Sequence, residues 1–580
     1  MRPLPADAFK EIWFVDFEYT AAPGGRPSPV CLVAWELHSQ RKIQLWLDQV
    51  TGFDEPPYDI GEDSLFVAYY ASAEFSCHLA LGWDLPVNVI DLFAEFRNAT
   101  NTTTGKASAG LLDAMCWFGL GHSVEAVEKT RMRDLIIEGG PWSVQEQQDI
   151  LAYCETDVAA LEQLFPKIMS PIDWQHALLR GRYMKAAACI EHNGIPVDAD
   201  LLAQTLECWP LIRTQLIAAV DEDYDVYEGT VFKRERFARY LADRGIPWPV
   251  LPSGALDLCD DTFSAKAKAY PEVAPLRALR SSLSKLKSAG PSIGPDDRNR
   301  YMLSAFSSIT GRNQPSSRAA LFGNAAWMRG FMKAPPGYAL VYIDWSQQEF
   351  GIAAALSGDP NMMAAYSSGD PYLEFAKQAK VIPPEATKAT HPDARGLFKE
   401  CVLAVQYGMG AASLAVRTGQ TEAQAQRLLD LHRQTYKVFW QWIEGVLDYA
   451  LLYGELKTVF GWRLQVMPKP NRRSVQNFLM QANGAEMLRL ACIFGTEAGI
   501  KICAPVHDAV LIEVPLDSLE ETIGQMQLHM TKASEIVLAG FSLRSDVEAF
   551  PYPERYADPR GQKMWDTVLP LVKARGKGNG

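Results

Sequence analysis

The 580-residue sequence lacks several features that would each assign it to a particular class of protein. No stretch approaches the roughly 18 uncharged apolar residues of a membrane-spanning helix. The ten cysteines include no CxxC pair, so neither a structural zinc site nor a disulfide framework is expected. The first residues, MRPLPADAFKEIW, lack the basic and then apolar pattern of a signal region, and we expect a cytoplasmic protein.

Positive charge is also scarce overall, because the formal net charge is −13. This argues against a protein coated with cations for indiscriminate nucleic-acid binding. Two local runs are nevertheless basic and contain no acid, at 277–287 and 463–473. Each run fits either a solvated face or a nucleic-acid contact, and the sequence leaves both interpretations open.

The apolar pattern changes along the chain. Short segments rich in β-forming residues occupy the first 95 residues, and the first three of them are close enough to pair as antiparallel neighbours. Residues 144–165 have helical spacing, and the register changes after Pro166. Residues 172–300 are mostly helical by pattern, whereas strands and long helices alternate from 300 to 550. This length and variety predict several folding units.

Two aspartates occupy strand ends in the C-terminal half. Asp344 ends the apolar strand YALVYID, and Asp508 lies at the tip of a predicted hairpin, ICAPVHDAVLIEV. An ordinary helix cap or turn residue would explain either one alone. Two carboxylates on adjacent strand ends, however, could bridge two divalent ions of the kind that activate a hydroxyl and neutralise a leaving pyrophosphate.

Polar side chains recur every four residues on two predicted helices, and so share one face of each. In 394–410 the stripe is Arg395, Lys399, Leu403 and Tyr407, which suits a nucleoside triphosphate but also an amphipathic helix with solvated cations. The second stripe, in 472–486, consists of three residues that could contact the nearly sequence-independent acceptors of the DNA minor groove. These residues are Arg473, Asn477 and Gln481.

Several segments resemble motifs of the family A DNA polymerases, the bacterial DNA polymerase I family. DWSQQEFGIAAALSGD, RGLFKECVLAVQYG and VHDAVLIEV are similar to that family's three main motifs and stand in its order. TGR at 310–312, LSKLKS at 283–288 and IEHNGIPVD at 190–198 also resemble family segments, so that the similarity covers roughly residues 180–550. The resemblance implies a DNA polymerase that extends a primer on a template.

The resemblance also implies roles for individual residues. Asp344 and Asp508 would be catalytic and would hold two Mg²⁺ ions, with Mn²⁺ as a substitute. The incoming dNTP would contact Arg395, Lys399, Leu403, Tyr407, Glu349 and Gln347, with Glu349 excluding ribonucleotides. Primer-template DNA would contact Arg312, Arg473, Asn477, Gln481, His507, Lys285 and Lys287. Leu403 replaces an aromatic residue of the family, Ala509 replaces an auxiliary acid, and Tyr372 lies near a position where many members have histidine.

The N-terminal region carries a second set of acids. Asp16 and Glu18 alternate on one strand face, and Tyr153 and Asp157 share a helix face. This order resembles the DEDD exonucleases of the tyrosine subtype, which implies a ribonuclease H-like fold and two-metal 3′–5′ hydrolysis, with Tyr153 orienting the water. Glu74 stands where that family has aspartate, and Tyr70 where it has asparagine. Either active proofreading or a weakened site is therefore compatible with the sequence.

The sequence as a whole predicts a multidomain α/β protein: a ribonuclease H-like exonuclease followed by a right-hand polymerase with an antiparallel palm sheet and helical fingers and thumb. The expected boundaries are exonuclease 1–170, connecting helices and thumb 171–305, palm 306–355, fingers 356–430 and palm 431–580. We expect a monomer without membrane attachment. The lack of a preceding 5′-nuclease module suggests a phage or plasmid replicase. The weaker alternatives are a single-subunit RNA polymerase, a nuclease with an inactive polymerase half, and a non-enzymatic accessory protein.

Overall fold

A computed structural model describes residues 8–103, 109–121, 126–169, 172–285, 290–406, 408–467 and 470–576. The chain divides into two compact units. The larger contains residues up to Gly194, Met302–Gln314 and Ala339–Ala549, and the smaller contains Ile195–Tyr301, Pro315–Tyr338 and residues from Phe550 onward. The five-part domain division expected from the sequence stays a prediction.

A five-stranded sheet forms the N-terminal part of the larger unit. Its strands are β1 (Glu11–Thr20), β2 (Ser28–Glu36), β3 (Lys42–Trp46), β4 (Ser64–Ala68) and β5 (Asn88–Asp91), in the order β3-β2-β1-β4-β5. The antiparallel pairing predicted for the first three strands is confirmed. β4 is parallel to both β1 and β5. The central strand β1 is thus surrounded, and its apolar residues form a buried core.

The helices that accompany this sheet are α1 (Leu47–Val50), α2 (Ser72–Leu81), α3 (Leu92–Thr100), α4 (Leu111–Trp117), α5 (Ala126–Glu138), α6 (Val144–Met169) and α7 (Trp174–Asn193). α6 packs across β1 and β2, with Phe165 edge-on to Phe14. The predicted change after Pro166 is wrong, because α6 continues to Met169. Its buried face continues past the proline through Ile168, and this packing sustains the last turn.

The smaller unit contains short paired strands and helices. The strands are β6 (Ile195–Pro196), β7 (Tyr227–Glu228), β8 (Val231–Phe232) and β9 (Arg298–Asn299), and β6 pairs with β9 and β7 with β8. The helices are α8 (Ala199–Asp221), α9 (Arg234–Asp243), α10 (Asp260–Ala269) and α11 (Ala274–Lys285). This agrees with the mostly helical pattern of that stretch.

The rest of the larger unit combines a second sheet with helices. The four-stranded sheet has the order β13-β14-β10-β15, from β10 (Tyr338–Trp345), β13 (Ile502–Val506), β14 (Ala509–Pro515) and β15 (Ser545–Pro551). A separate ribbon pairs β11 (Glu455–Lys457) with β12 (Arg463–Gln465).

The helices from residue 348 onward follow in chain order: α12 (Gln348–Ser357), α13 (Pro360–Ser367), α14 (Pro371–Gln378), α15 (Pro392–Gln406), α16 (Ala411–Thr418), α17 (Glu422–Thr435), α18 (Lys437–Tyr453), α19 (Arg472–Glu497), α20 (Leu519–Val537) and, in the smaller unit, α21 (Gln562–Gly576). Within the described ranges, no helix combines the length and the apolar character needed to cross a bilayer.

Candidate active sites

Asp344 and Asp508 come together at the ends of neighbouring strands. Asp344 is the penultimate residue of β10, and Asp508 lies in the two-residue turn between β13 and β14. His507 enters that turn with a left-handed φ of 56°, so the predicted hairpin is present. The Trp345 backbone N–H donates to the Asp508 carbonyl oxygen at 3.1 Å, which fixes one strand end against the other.

The edge strand β15 adds two further acids that the sequence analysis missed. The Ser346 hydroxyl donates to the Asp546 carboxylate at 2.6 Å. Burial, followed by the charges of Asp508, Asp546 and Glu548, raises the pKa of Asp344 to about 6. Asp546 and Glu548 alternate as Asp-x-Glu, the same spacing as Asp16 and Glu18, and this spacing was the signal available in the sequence.

The phenol of Tyr366 on α13 connects the same two strand ends. Its hydroxyl donates to the Ser346 carbonyl oxygen at 3.0 Å and accepts from the Arg544 backbone N–H at 3.0 Å. The Ser346 backbone N–H also donates to the Arg544 carbonyl oxygen at 2.9 Å. These bonds hold the end of β10 beside the start of β15.

Glu349 and Arg312 lie within electrostatic reach of the aspartate pair. Burial raises the pKa of Asp508, and the charges of His507 and Arg312 oppose that rise. Burial also raises the pKa of Glu349, against the charge of Arg312 and together with that of Asp508. Arg312 is therefore a cation placed among carboxylates that repel one another.

A salt bridge on α19 holds the loop that carries Arg312. Arg489 donates to the Gly311 carbonyl oxygen at 2.6 Å and pairs with Glu486 at 2.7 Å. Glu486 in turn accepts from the Thr458 hydroxyl at 2.7 Å. All four of these residues, Gly311 included, are buried, and no pattern in the sequence indicated the anchor.

The carboxylates at the strand ends fit divalent cations. Two of them lie at neighbouring strand ends, and burial, followed by the charges of the nearby carboxylates, raises the pKa of Asp344. Oxygen ligands of this kind suit Mg²⁺, which is held by one or two carboxylates plus substrate phosphates. Asp344 and Asp508 are the residues that would hold such ions.

The triphosphate-binding stripe predicted on α15 lies on the outward face of that helix. Lys399 is exposed, and Arg395 and Leu403 are half-buried, whereas Phe398 and Val402 point into the core. Arg395 is already engaged, because its guanidinium donates to the Asp370 carboxylate and lies 5.6 Å from the Tyr372 ring centre. The stripe is accessible to a ligand, but Arg395 would have to leave Asp370. Tyr407 lies outside the described residues.

The predicted DNA-contacting residues of α19 are on its first turns. Arg473 is exposed and Asn477 and Gln481 are half-buried, and Asn471 caps the helix start. His507 is exposed at the hairpin tip. The backbone of Lys285 ends α11, in the smaller unit, but its side chain and all of Lys287 lie outside the described residues.

Several buried polar atoms in the segments that carry the predicted site residues have no hydrogen-bond partner among the described residues. They are Gln347 Oε1, Gln348 Nε2, Arg312 Nε and Asn477 Oδ1. Gln347 additionally holds a left-handed φ of 48° at the start of α12. Unpaired buried polar atoms are rare, and they are typical of sites completed by water, an ion or a ligand.

The N-terminal acids form a compact cluster. Ligand oxygens of Asp16, Glu18 and Asp157 all lie within 4.8 Å of one another, where β1 meets α6. Burial, and then the charge of Asp157, raises the pKa of Asp16 to about 7, and burial raises the pKa of Glu18 well above its usual range. The Cys154 thiol donates to Asp16 Oδ2 at 3.2 Å. These three oxygens fit a divalent cation.

Glu74 and Tyr153 border this cluster. The buried Glu74 carboxylate accepts from the Phe17 backbone N–H at 2.7 Å, on the same strand as Asp16, and it is not part of the three-residue cluster. Tyr153 is buried next to the acids, and burial raises its pKa. Tyr70, in the place where the exonuclease family has asparagine, accepts from the Ala305 backbone N–H at 3.2 Å. Glu74 as a metal ligand stays a prediction.

Lys129 on α5 reaches the cluster, although the sequence analysis did not single it out. Its ammonium donates to both oxygens of Asp157, at 2.9 and 2.7 Å. It also lies 5.6 Å from the centre of the Tyr153 ring. A lysine 28 residues from its partner leaves no periodic trace in the sequence.

Parts of this chain are similar in sequence to known DNA polymerases. Residues 322–549 match the family model described as DNA polymerase family A. DNA polymerase I of Aquifex aeolicus is 24% identical over 431 residues, which are 67% of this chain and 73% of that protein. The thermostable DNA polymerase I of Thermus caldophilus is 31% identical over 215 residues, which are 34% of this chain and only 25% of that protein.

The fold is similar to a solved polymerase domain. The POL domain of Pol1 from M. smegmatis, solved in complex with DNA primer-template and dNTP, superposes with a TM-score of 0.70 at 18% identity and covers 96% of both chains. Asp344, Glu349 and Asp508 all lie inside the region that matches the family. Residues 322–549 are thus the part of this chain that is similar to DNA polymerase family A.

Proposed function

We propose that this chain is a template-directed DNA polymerase that adds deoxynucleotides to the 3′ end of a primer. The observation that carries the proposal is the pairing of Asp344 with Asp508 at neighbouring strand ends within the family A region. Two divalent ions bound there would activate the primer hydroxyl and neutralise the leaving pyrophosphate. Mg²⁺ is the ion proposed, with Mn²⁺ as a substitute.

The proposed substrate contacts follow from the placement of charge around this pair. Arg395 and Lys399 would hold the phosphates of the dNTP, with Leu403, Tyr407 and Gln347 near its sugar and base. Glu349, half-buried beside the aspartates, would exclude a ribose 2′-hydroxyl.

Duplex DNA would lie against the start of α19 and the hairpin tip. The proposed contacts there are Arg312, Arg473, Asn477, Gln481 and His507, with Lys285 and Lys287 as further contacts. The exposed Arg473 and the unpaired Asn477 oxygen support this placement. We also propose that the polymerase part has a palm, fingers and thumb arrangement, and that the protein is a cytoplasmic monomer of phage origin.

We also propose that the N-terminal part is a ribonuclease H-like 3′–5′ exonuclease. Its support is the mixed sheet with β1 at its centre and the cluster of Asp16, Glu18 and Asp157. Glu74 would be a fourth metal ligand, and Tyr153 would orient the attacking water. The engagement of Asp157 by Lys129 favours a second candidate function, a weakened exonuclease.

Primer extension tests the polymerase proposal. Asp344→Asn and Asp508→Asn should each abolish extension of a labelled primer and leave DNA binding largely intact, because each removes a metal ligand and retains the side-chain volume. Asp517→Asn, at an exposed acid outside the site, is the matched control and should extend normally. Normal extension by either active-site variant would refute the metal assignment.

Degradation of a mismatched primer without dNTPs tests the exonuclease proposal separately. Asp16→Ala should remove 3′ trimming and leave extension unchanged, because Asp16 belongs to the N-terminal cluster and not to the strand ends of the second sheet. A variant that still trims at the parental rate would disprove the role of Asp16.

A further inference from the structure

The loop that carries Arg312 is held by a side chain from the N-terminal part of the chain. Asn101 follows the last turn of α3 and is completely buried. Its side-chain amide donates to the carbonyl oxygen of Ile309, in the loop, at 2.7 Å and to that of Arg463, on β12, at 2.6 Å. One amide therefore joins the N-terminal part to two segments that lie 208 and 362 residues further along the chain.

The same loop accepts side-chain hydrogen bonds at three alternate carbonyl oxygens, those of residues 307, 309 and 311. The donors are Arg97 of α3 to Ser307 at 3.1 Å, Asn101 and the Trp462 indole to Ile309, and Arg489 of α19 to Gly311. Two of these four donors belong to the N-terminal part. Backbone carbonyls held at such short intervals leave the loop little freedom to shift, because each shift would leave a buried polar group unpaired.

Arg312 ends this loop, and its backbone is tied to the segment that Asn101 and Arg97 hold. The Arg312 backbone N–H donates to the Ser308 hydroxyl at 2.8 Å, and Ser308 lies between the two anchored carbonyls of residues 307 and 309. Among the described residues, the Arg312 Nε has no hydrogen-bond partner. The place of this guanidinium beside Glu349 and Asp508 thus depends on where the loop backbone is held.

The last turn of α3 is itself fixed against β12. The Asn98 side-chain oxygen accepts from the Arg463 backbone N–H at 2.8 Å. In the other direction, the Gln465 side-chain amide donates to the Ala99 carbonyl oxygen at 2.6 Å. Asn101 is therefore a defined anchor point, since the residues just before it are bonded to the ribbon as well.

We propose that Asn101, together with Arg97, is a positioning residue for the polymerase site. By holding residues 307–309, it places Arg312 where that side chain contacts the primer-template. This inference rests on the DNA contact that the proposed function assigns to Arg312. Both positioning residues lie outside the region that matches the polymerase family, and neither belongs to the N-terminal acidic cluster. Primer binding by the polymerase site therefore depends on the N-terminal part, independently of any hydrolysis there.

Single-nucleotide extension titrated with primer-template tests this, because it separates KM for DNA from kcat. Asn101→Ala should raise that KM by about three- to tenfold and change kcat by less than about twofold, since it loosens a binding contact and leaves the metal ligands in place. Arg312→Ala should raise KM by on the order of tenfold or more. The double variant should match Arg312→Ala within about twofold, because a residue that acts through Arg312 has no effect once Arg312 is gone.

The matched control is Asn88→Ala. The Asn88 amide also donates to two backbone carbonyl oxygens, those of Glu62 and Ser64, but within the first sheet, so this variant should keep the parental KM. Arg97→Met removes the other donor from α3 and serves where Asn101→Ala fails to fold. It should raise KM in the same direction and add nothing in the Arg312→Ala background.

Two results would overturn the inference alone: a parental KM in the folded positioning variants, or effects of Asn101→Ala and Arg312→Ala that multiply in the double variant. Multiplying effects would mean that Asn101 supports the fold in general and does not act through Arg312. A parental KM in Arg312→Ala would refute the proposed DNA contact of Arg312, and the role of Asn101 with it. A parent chain that does not extend primers would refute the proposed polymerase itself.

Discussion

Lowering the pH should weaken metal binding at Asp344 and so raise the Mg²⁺ concentration that primer extension requires. Only the ionised carboxylate binds a divalent ion, and its pKa is raised from 3.8 to about 6 by burial and by the neighbouring carboxylates. Asp344 is therefore almost fully ionised well above pH 6, and this metal-binding form is lost as the pH falls through 6. Burial is the largest cause of the raised pKa, and the charges of Asp508, Asp546 and Glu548 add to it.

The size of the effect follows from that value. A carboxyl group with a pKa near 6 is about 90% ionised at pH 7 and about 10% ionised at pH 5. The Mg²⁺ concentration that gives half-maximal extension should therefore rise about tenfold between these two values of pH. Asp546→Asn removes one of the charges that repel the ionised form of Asp344, and should lower the pH at which Asp344 ionises by ~0.5 unit. This shift corresponds to the Coulomb energy of two carboxylates several ångströms apart in a water-like dielectric.

The assay is single-turnover primer extension, titrated with Mg²⁺ at pH values from 5 to 8. The amide oxygen introduced by Asp546→Asn can still accept the Ser346 hydroxyl, so the variant changes charge and retains the hydrogen bond. Asp517→Asn is again the control and should follow the parent. The reasoning fails if the half-maximal Mg²⁺ concentration is the same at pH 5 and pH 7, or if Asp546→Asn and Asp517→Asn give the same curve.

Two further predictions concern stability and substrate choice. Glu95→Ala should lower the free energy of unfolding by about 3–5 kcal/mol, because it leaves the guanidinium of Arg180, only 6% exposed, without its bidentate partner. Urea denaturation followed by circular dichroism checks this, and Glu128→Ala, which removes an exposed ion pair with Arg131, is the control and should leave the unfolding curve close to that of the parent. Glu349→Ala should reduce discrimination against ribonucleotides by on the order of 10–100-fold in competitive incorporation assays, and unchanged discrimination would remove Glu349 from the sugar-selecting role.

The sequence predicted the parts of the fold that depend on neighbouring residues. Short segments of β-forming apolar residues predicted β1, β2 and β3 and their antiparallel pairing. The His507–Asp508 pair between two apolar segments predicted the turn of a hairpin. We predicted that Asp344 and Asp508 lie together because each stands at the end of an apolar strand. In each case the deciding interactions are backbone pairing and turn geometry, which short sequence patterns express directly.

The contacts that the sequence could not predict join segments far apart in the chain. Ser346 meets Asp546 across 200 residues, and Arg489 meets Gly311 across 178. Lys129 reaches Asp157 because α5 packs on β1, which depends on the whole N-terminal core. Similarly, the four-residue spacing on α15 predicts which helix face carries Arg395. It does not predict that Arg395 pairs with Asp370.

The Tyr366 hydroxyl has a mechanical consequence for the polymerase site. One phenol on α13 bonds the end of β10 and the start of β15, and the side chain is only 2% exposed. A rigid shift of α13 by even about one ångström must either break both bonds or carry both strand ends along, since a packed interior does not deform continuously. A motion of the following helices that reaches α13 therefore either breaks these two bonds or moves the end of β10 and the start of β15 together.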